Sequence, residues 1–390
     1  MQNKIAVKPT FTRRWPSGFM VTAIAAATMG LCCAQAQAAG PAAAAPTVGN
    51  ATFVAPAGLP RVIILATGGT IAGTADARAA NAYNAGAVSG DQLIKAVPGI
   101  EKLANLKAEQ VASIGSQDMN NKVWFDLARR VQQIFDNNEA DAVVITHGTD
   151  TMEETAFFLD NVVRTNKPIV LAGAMRPSTA ISADGPANLY EAVEVAANPK
   201  AKDRGVMVVL NDTIESARWT TKTNSTAVET FNSPDLGPIG YVDPAKVRYV
   251  VPPTSADAKK YALPADGKLP RVDIIYSHAD MDAYVDQIGD AVKHGAKGIV
   301  LAGVGDGNSS KGVIAALHKA AEKGVVVVRS TRVGSGFVNR NVEVNDDQSG
   351  FVVSLDLNPQ KARILTQLLV ANGVTAPGPV QKAFDSFQQE

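Results

Sequence analysis

Two short stretches concentrate residues able to do hydroxyl chemistry. Thr67-Gly68-Gly69-Thr70-Ile71-Ala72-Gly73 and Thr146-His147-Gly148-Thr149-Asp150-Thr151-Met152-Glu153-Glu154-Thr155 each follow a run of branched apolar residues, and each sets a threonine directly behind a glycine. Glycine lets backbone approach a ligand closely and exposes amide N–H groups. A threonine hydroxyl is a poor nucleophile at neutral pH and needs a partner to take its proton. A lysine can do this when desolvation or a neighbouring charge lowers its pKa. Thr220-Thr221-Lys222-Thr223-Asn224-Ser225, beyond the apolar run at 206–210, supplies Lys222 as a candidate. By residue type alone, a solvated lysine in a polar loop is the commoner reading of such a site.

Other chemistries fit less well. Gly69 is not followed at the required spacing by Gly-Lys-Ser/Thr, and Gly68-Gly69 to Gly73 is not a G-x-G-x-x-G run, so neither a phosphate loop nor a dinucleotide fingerprint is present. The chain has four histidines, and none is spaced with carboxylates as a zinc site requires. His147, between a strand end and a glycine, reads as a structural hydrogen-bonding residue rather than a general base. No metal or cofactor is expected.

The elements that must position these residues are legible from periodicity. Apolar runs at 62–65, 142–145, 169–171 and 206–210 are each followed by Gly, Thr, Asn or Asp and then by a longer segment with helical spacing, as at 151–164 and 185–197. That alternation predicts an α/β fold: a larger N-terminal domain, 61–251, with a largely parallel sheet covered by helices on both faces. Ligands of open parallel sheets collect beyond the carboxyl ends of the strands, where both threonine motifs fall. Proline, lysine and small polar residues at 252–270 read as a linker. A smaller C-terminal α/β domain, 271–390, follows, with apolar runs at 272–276, 298–301 and 325–328 and helical stretches at 282–293 and 313–322. A last helix, 360–371, stops at Asn372-Gly373.

The 390 residues are 46% hydrophobic and 19% charged, with 37 basic and 37 acidic side chains, which leaves no basic excess to hold a nucleic acid. Residues 1–38 read as a signal peptide: Lys4, Lys8, Arg13 and Arg14 precede an uncharged stretch at 19–31 and then Ala34, Ala36 and Ala38. A membrane anchor is the rival, but the apolar run is shorter than the ~20 residues a span needs. Both cysteines, Cys32 and Cys33, lie in this segment, so its removal leaves a mature chain without thiols. That mature chain is mildly acidic. The expected location is periplasmic, with no membrane association of the mature form, and 39–60 is expected to be a flexible lead-in.

From about Arg61 to the C-terminus the sequence resembles the bacterial type II L-asparaginase and glutaminase-asparaginase family. The two threonine signatures are reinforced, in family order, by Gly115-Ser116-Gln117-Asp118-Met119, Ala172-Gly173-Ala174-Met175-Arg176-Pro177-Ser178, Ser182-Ala183-Asp184-Gly185-Pro186 and Leu357-Asn358-Pro359-Gln360-Lys361-Ala362. The resemblance implies hydrolysis of L-asparagine to L-aspartate and ammonia, with lesser activity on L-glutamine. It makes Thr70 the nucleophile, activated by Tyr83 when the loop 74–90 closes, and Thr149, Asp150 and Lys222 a second hydrogen-bonded set. Ser116 and Asp150 would hold the α-carboxylate and α-amino group, with Gln117 nearby. The Ala174 carbonyl would face the leaving nitrogen, and backbone N–H groups of Thr70 and Thr149 would bind the oxyanion. Asn308 and Glu343 match positions that enter the site from a neighbouring subunit of a homotetramer built as a dimer of dimers. Asp306 stands where many relatives have asparagine. Two rival readings remain: a glutaminase-asparaginase with little preference between the amides and, from another class, a periplasmic amino-acid-binding protein.

Overall fold

The computed structural model describes residues 58–76, 83–244, 246–253 and 260–385. The expected signal peptide, most of the lead-in and the linker residues 254–259 lie outside the described residues. Eight strands form the larger sheet: β1 (Arg61–Gly68), β2 (Asn105–Ile114), β3 (Ala142–Thr146), β4 (Ile169–Ala172), β5 (Val206–Leu210), β6 (Thr213–Ser216), β7 (Gly240–Asp243) and β8 (Lys246–Tyr249). Their order is β8-β7-β6-β5-β4-β3-β1-β2. The five strands from β2 to β5 across this order are parallel, and β6, β7 and β8 extend the sheet antiparallel.

The sheet is therefore mixed, and its antiparallel extension begins in one tight turn. Asn211 and Asp212 both take positive φ, 51° and 63°, between paired Leu210 and Thr213. Two such residues make the turn whose twist matches a β-hairpin, and asparagine and aspartate tolerate that conformation best after glycine. The edge strand β2 carries no apolar run because only part of it is covered. Its polar residues are used in place: Arg130, from α1 (Asn121–Asp136), bonds both oxygens of Glu109 at 2.7 and 2.9 Å and reaches Glu139 at 2.6 Å.

Alternate side chains of the central strands feed opposite layers, as the pleat requires. Val62, Ile64, Val144, Val170 and Met207 pack on Leu189, Ala192 and Val193 of α3 (Gly185–Ala197). Ile63, Leu65, Val143, Ile145 and Val208 turn the other way, onto α1 and α2 (Met152–Val162).

The second sheet is β9 (Val272–Tyr276), β10 (Gly298–Gly303), β11 (Val326–Thr331) and β12 (Phe351–Val353), in that order and all parallel. Its outer face rests on α4 (Asp286–Lys293) and α5 (Lys311–Glu322) through Ile288, Val313 and Leu317. The stretch expected as one helix over 282–293 is split, with a 3-10 turn at Met281–Tyr284 ahead of α4. On the inner face, Val272, Val300 and Val328 join the same apolar cluster as α1 and α2 through α6 (Pro359–Ala371). The α6 start is capped by Asn358, which accepts from the Lys361 N–H at 3.1 Å, and its end comes at Asn372 and Gly373, the latter with φ 74°. Residues 260–270 are docked rather than loose: Tyr261 and Leu269 are buried, and the Tyr261 N–H donates to the Asn161 carbonyl at 2.9 Å.

Candidate active site

The strand order switches sides between β1 and β3, since β1 leads to β2 on one side and β3 continues on the other. The crevice beyond the carboxyl ends at such a switch point is where open α/β sheets place ligands. The two threonine motifs leave the sheet there. Their backbones nearly touch: a Cβ on Gly69 would lie 2.3 Å from both N and Cα of Gly148. A Cβ on Gly148 would lie 2.6 Å from the Ser116 hydroxyl, and one on Gly173 would lie 2.7 Å from the His147 carbonyl. Any side chain at these glycines would push the turns apart. Gly68 and Gly69 also take φ of 106° and 78°, a region that disfavours other residues.

Thr70, Ser116 and Thr149 each open a single 3-10 turn, at Thr70–Ala72, Ser116–Asp118 and Thr149–Thr151, and all three are buried. Helix starts present their first amides outward, toward whatever acceptor occupies the crevice. The Ser116 hydroxyl accepts from the Asp150 N–H at 3.1 Å, and the Ser116 carbonyl accepts from the Thr151 hydroxyl at 2.8 Å, which ties the second turn to the third. Lys222 lies on a two-residue strand, Thr221–Lys222, paired antiparallel with Phe231–Asn232. Its ammonium donates to the Thr149 hydroxyl at 2.9 Å and to the Asp150 carboxylate at 2.6 Å.

The Ala174 turn is braced by Asp184, whose carboxylate accepts from the N–H groups of Met175 and Arg176, both at 2.9 Å. Asn188 adds a 2.9 Å bond to the Gly173 carbonyl. Ala174 itself is fully buried. Gln117 is exposed at the rim. Tyr83 sits in a two-residue strand whose backbone pairs with Ala75, and Gly86 and Val88 then return the chain to the first motif through bonds to the Gly69 and Ala72 carbonyls.

Asn308 and Glu343 are brought together with each other. The Asn308 amide donates to the Glu343 carboxylate. Among the described residues no hydrogen bond joins either to Thr149, Asp150 or Lys222. Their two loops are held by one buried ion pair, Arg329 with Asp346. The guanidinium bonds both Asp346 oxygens at 2.6 and 2.8 Å and also donates to the carbonyls of Asp306, Gly307 and Asn339. Asp306 adds to this tie, accepting from the Asn339 N–H at 2.7 Å.

Three side chains without a role in the sequence reading prove central to the geometry. Glu153, buried in the first turn of α2, accepts from the Thr221 hydroxyl and the Lys222 N–H, each at 2.6 Å. It also accepts from Asn358 at 3.0 Å and Gln360 at 2.6 Å, both at the start of α6. Lys361, also buried, donates to the carbonyls of Arg218 and Thr220, and burial pulls its ammonium down to about 8. Arg218 in turn grips Asp356 through two 2.8 Å bonds. The helix at 360–371 is legible in the sequence, but nothing there says which strand its start touches.

The two described sheets correspond to two matched family models: asparaginase, N-terminal, over residues 61–255, and glutaminase/asparaginase C-terminal domain, over 271–384. The chain belongs to the asparaginase family. It is 48% identical over 333 residues to a protein of Haemophilus influenzae named probable L-asparaginase periplasmic, covering 85% of this chain and 94% of that one. A glutaminase-asparaginase of Pseudomonas fluorescens biotype A is 45% identical over 320 residues, 80% of this chain and 86% of that one. Among solved structures, the probable cytoplasmic L-asparaginase from Campylobacter jejuni superposes with a TM-score of 0.75 at 43% identity, covering 83% of this chain and 99% of that one.

His147 takes the structural place expected of it. Trp124 donates to the Thr155 hydroxyl at 2.8 Å, that hydroxyl lies 2.9 Å from His147 Nε2, and Nδ1 lies 2.7 Å from the Gly148 carbonyl. A carbonyl can only accept, so Nδ1 carries the proton and Nε2 accepts from Thr155. Full burial lowers the imidazole pKa to about 4. The ring is neutral in the folded protein wherever the unfolded chain, near 6.5, has begun to bind a proton. Stability from this group is therefore complete above pH 6.5 and is lost as pH falls from 6.5 toward 4, by roughly 3 kcal/mol. The wild type should lose about this much more unfolding free energy than His147→Gln as pH falls across that range, and parallel pH profiles would contradict it.

Proposed function

We propose that this chain hydrolyses L-asparagine to L-aspartate and ammonia, with Thr70 as nucleophile and L-glutamine as a lesser substrate. The observation that carries the reading is the contact of Lys222 with Thr149 and Asp150 in a crevice where the Thr70 and Thr149 turns meet through facing glycines. The Thr70 hydroxyl gives up its proton and attacks the side-chain amide carbon, the C–N bond breaks as a proton is delivered to nitrogen so that ammonia leaves, and water then cleaves the aspartyl ester of Thr70. Backbone N–H groups of Thr70 and Thr149, at the first positions of their turns, are suited to stabilise the oxyanion. Lys222 is read as taking and returning a proton through Thr149, a step that needs its neutral amine form, and Tyr83 is read as the residue that activates Thr70 when its loop closes. Ser116 uses a lone pair on the Asp150 N–H, which leaves its O–H to donate to the α-carboxylate. Asp150 supplies the negative charge that an α-ammonium needs. Gln117 lines the rim, and the Ala174 carbonyl, held by the braced turn, faces the leaving nitrogen.

Membership of the asparaginase family favours a hydrolase over an amino-acid-binding protein, and relatives named for asparagine alone or for both amides leave the preference to be read from residues. Glutamine is one methylene longer than asparagine, a difference worth only ~1–3 kcal/mol in a fitted pocket. Asn308 resembles the more selective members, whereas Gly334-Ser335-Gly336-Phe337-Val338 resembles the glutaminase-asparaginases.

We further infer that Asn308 and Glu343 complete the site of a neighbouring subunit in a homotetramer. Their mutual bond and the exposed Val333, Phe337 and Val342 on the same loops support an interface there. Two domains, 61–251 and 271–390, joined by 252–270, fit the separate sheets. Residues 1–38 are read as a removed signal peptide and the mature protein as periplasmic, a location that the Haemophilus relative's name supports.

Released ammonia should give a kcat/KM for asparagine at least tenfold above that for glutamine, about 1.4 kcal/mol of transition-state preference, with Asn308→Ser narrowing the gap. Equal constants would favour the unselective enzyme. Thr70→Ala should abolish turnover while substrate binding persists; substantial residual turnover would remove Thr70 as nucleophile. Mixing Thr70→Ala with Glu343→Ala subunits should restore partial activity, and no recovery after verified exchange would count against a shared site. Intact mass of the exported protein should place its first residue near Gln37 or Ala39, and retention of residues 1–30 would overturn cleavage.

A further inference from the structure

We propose that Glu153 is a positioning residue for Lys222, its carboxylate fixing the strand that carries the lysine against the turn that carries Thr149. The inference rests on the reading of Lys222 as the proton acceptor. A two-residue strand with a single two-residue partner cannot hold a side chain in place unaided. The bonds made to Lys222 show what does. Its backbone N–H donates to Glu153, and its ammonium donates to Thr149 and Asp150. These three acceptors come from one short stretch, the 3-10 turn Thr149–Thr151 and the first turn of α2. One rigid helix start thus holds the lysine at both its backbone and its tip.

The carboxylate is itself fixed from the far side. Oε2 receives the Thr221 and Lys222 donors, and Oε1 receives the side-chain amides of Asn358 and Gln360. Lys361, one residue beyond Gln360, holds the carbonyls of Arg218 and Thr220 just upstream of the lysine strand. Glu153 touches no atom assigned to substrate, so its effect reaches the reaction through Lys222. Misplacement of a reacting group by about 1 Å can cost ~100-fold in rate.

Glu153→Gln separates this role from simple packing, because it keeps the shape but replaces one acceptor oxygen by an NH2 group. On either side the NH2 group meets two donors; the Thr221 hydroxyl can rotate, or the Gln360 amide turn, to accept from it, which leaves the Lys222 N–H or the Asn358 amide facing a donor. Asn358 cannot turn to help without giving up its cap on the Lys361 N–H. The variant should show kcat for asparagine lowered on the order of 10- to 100-fold, with KM within threefold. Its crystal structure should show the Lys222 ammonium withdrawn from Thr149. A kcat within twofold of wild type, a rise in KM as large as the fall in kcat, or a lowered kcat with the ammonium still on Thr149 would each overturn the inference. Should Glu153→Gln not fold, Thr221→Val, which deletes one donor and no charge, is read by the same criteria with a 3- to 10-fold loss. Lys222→Met is measured alongside: wild-type turnover there would overturn the lysine mechanism itself, an outcome that does not involve Glu153.

Discussion

Close approach of bare backbone at the switch point is the constraint on which the rest of this site depends. Gly69 and Gly148 pack face to face with no space for a methyl group between them, and Gly148 and Gly173 are pressed in turn by Ser116 and by the His147 carbonyl. Four turns from four adjacent strands can converge only because their contact points lack side chains. The turns that carry Thr70, Ser116 and Thr149 are thereby brought together at one crevice. Behind the Thr149 turn, the relay from Trp124 through Thr155 to neutral His147 ends on the Gly148 carbonyl, so the backbone that makes the close contact is itself fixed.

The second requirement is a lysine held against this convergence, and here the two sheets cooperate. Lys222 reaches the Thr149 turn from a short hairpin with little pairing of its own. The start of α6 supplies the missing order: Asn358 and Gln360 complete Glu153, Lys361 holds two carbonyls of the hairpin's approach, and Asp356 holds Arg218. Buried charges of this kind are costly to desolvate, and removing one partner of such a pair costs about 3–5 kcal/mol, because the other is left buried and unmatched. The arrangement makes geometric order, rather than net stability, the plainest consequence of the network.

Arg329 plays the corresponding part for the loops that carry Asn308 and Glu343. Its five N–H bonds are all used, two on Asp346 and three on carbonyls of the 306–307 and 339 segments. A planar fork of fixed donors suits this task as a flexible ammonium would not. Asp306 accepts from both the backbone and the side-chain amide of Asn339 and strengthens the same tie.

The sequence by itself determined the central strands, the helices read at 151–164, 185–197 and 360–371, and the two threonine turns, because apolar periodicity and glycine placement are local signals. It also named Lys222 as a candidate, though only the family resemblance distinguished it from a solvated lysine. The antiparallel extension after Asn211-Asp212 went unread, since its strands are short and partly exposed, and β2 was hidden by polar residues that Arg130 satisfies. Tertiary structure alone decided the role of Glu153 and Lys361. In a sequence a glutamate at a helix start and a lysine one turn into another helix read as solvated charges. They become the fixed points of the site only when folding buries both and surrounds them with donors and carbonyls drawn from segments up to 207 positions away in the chain.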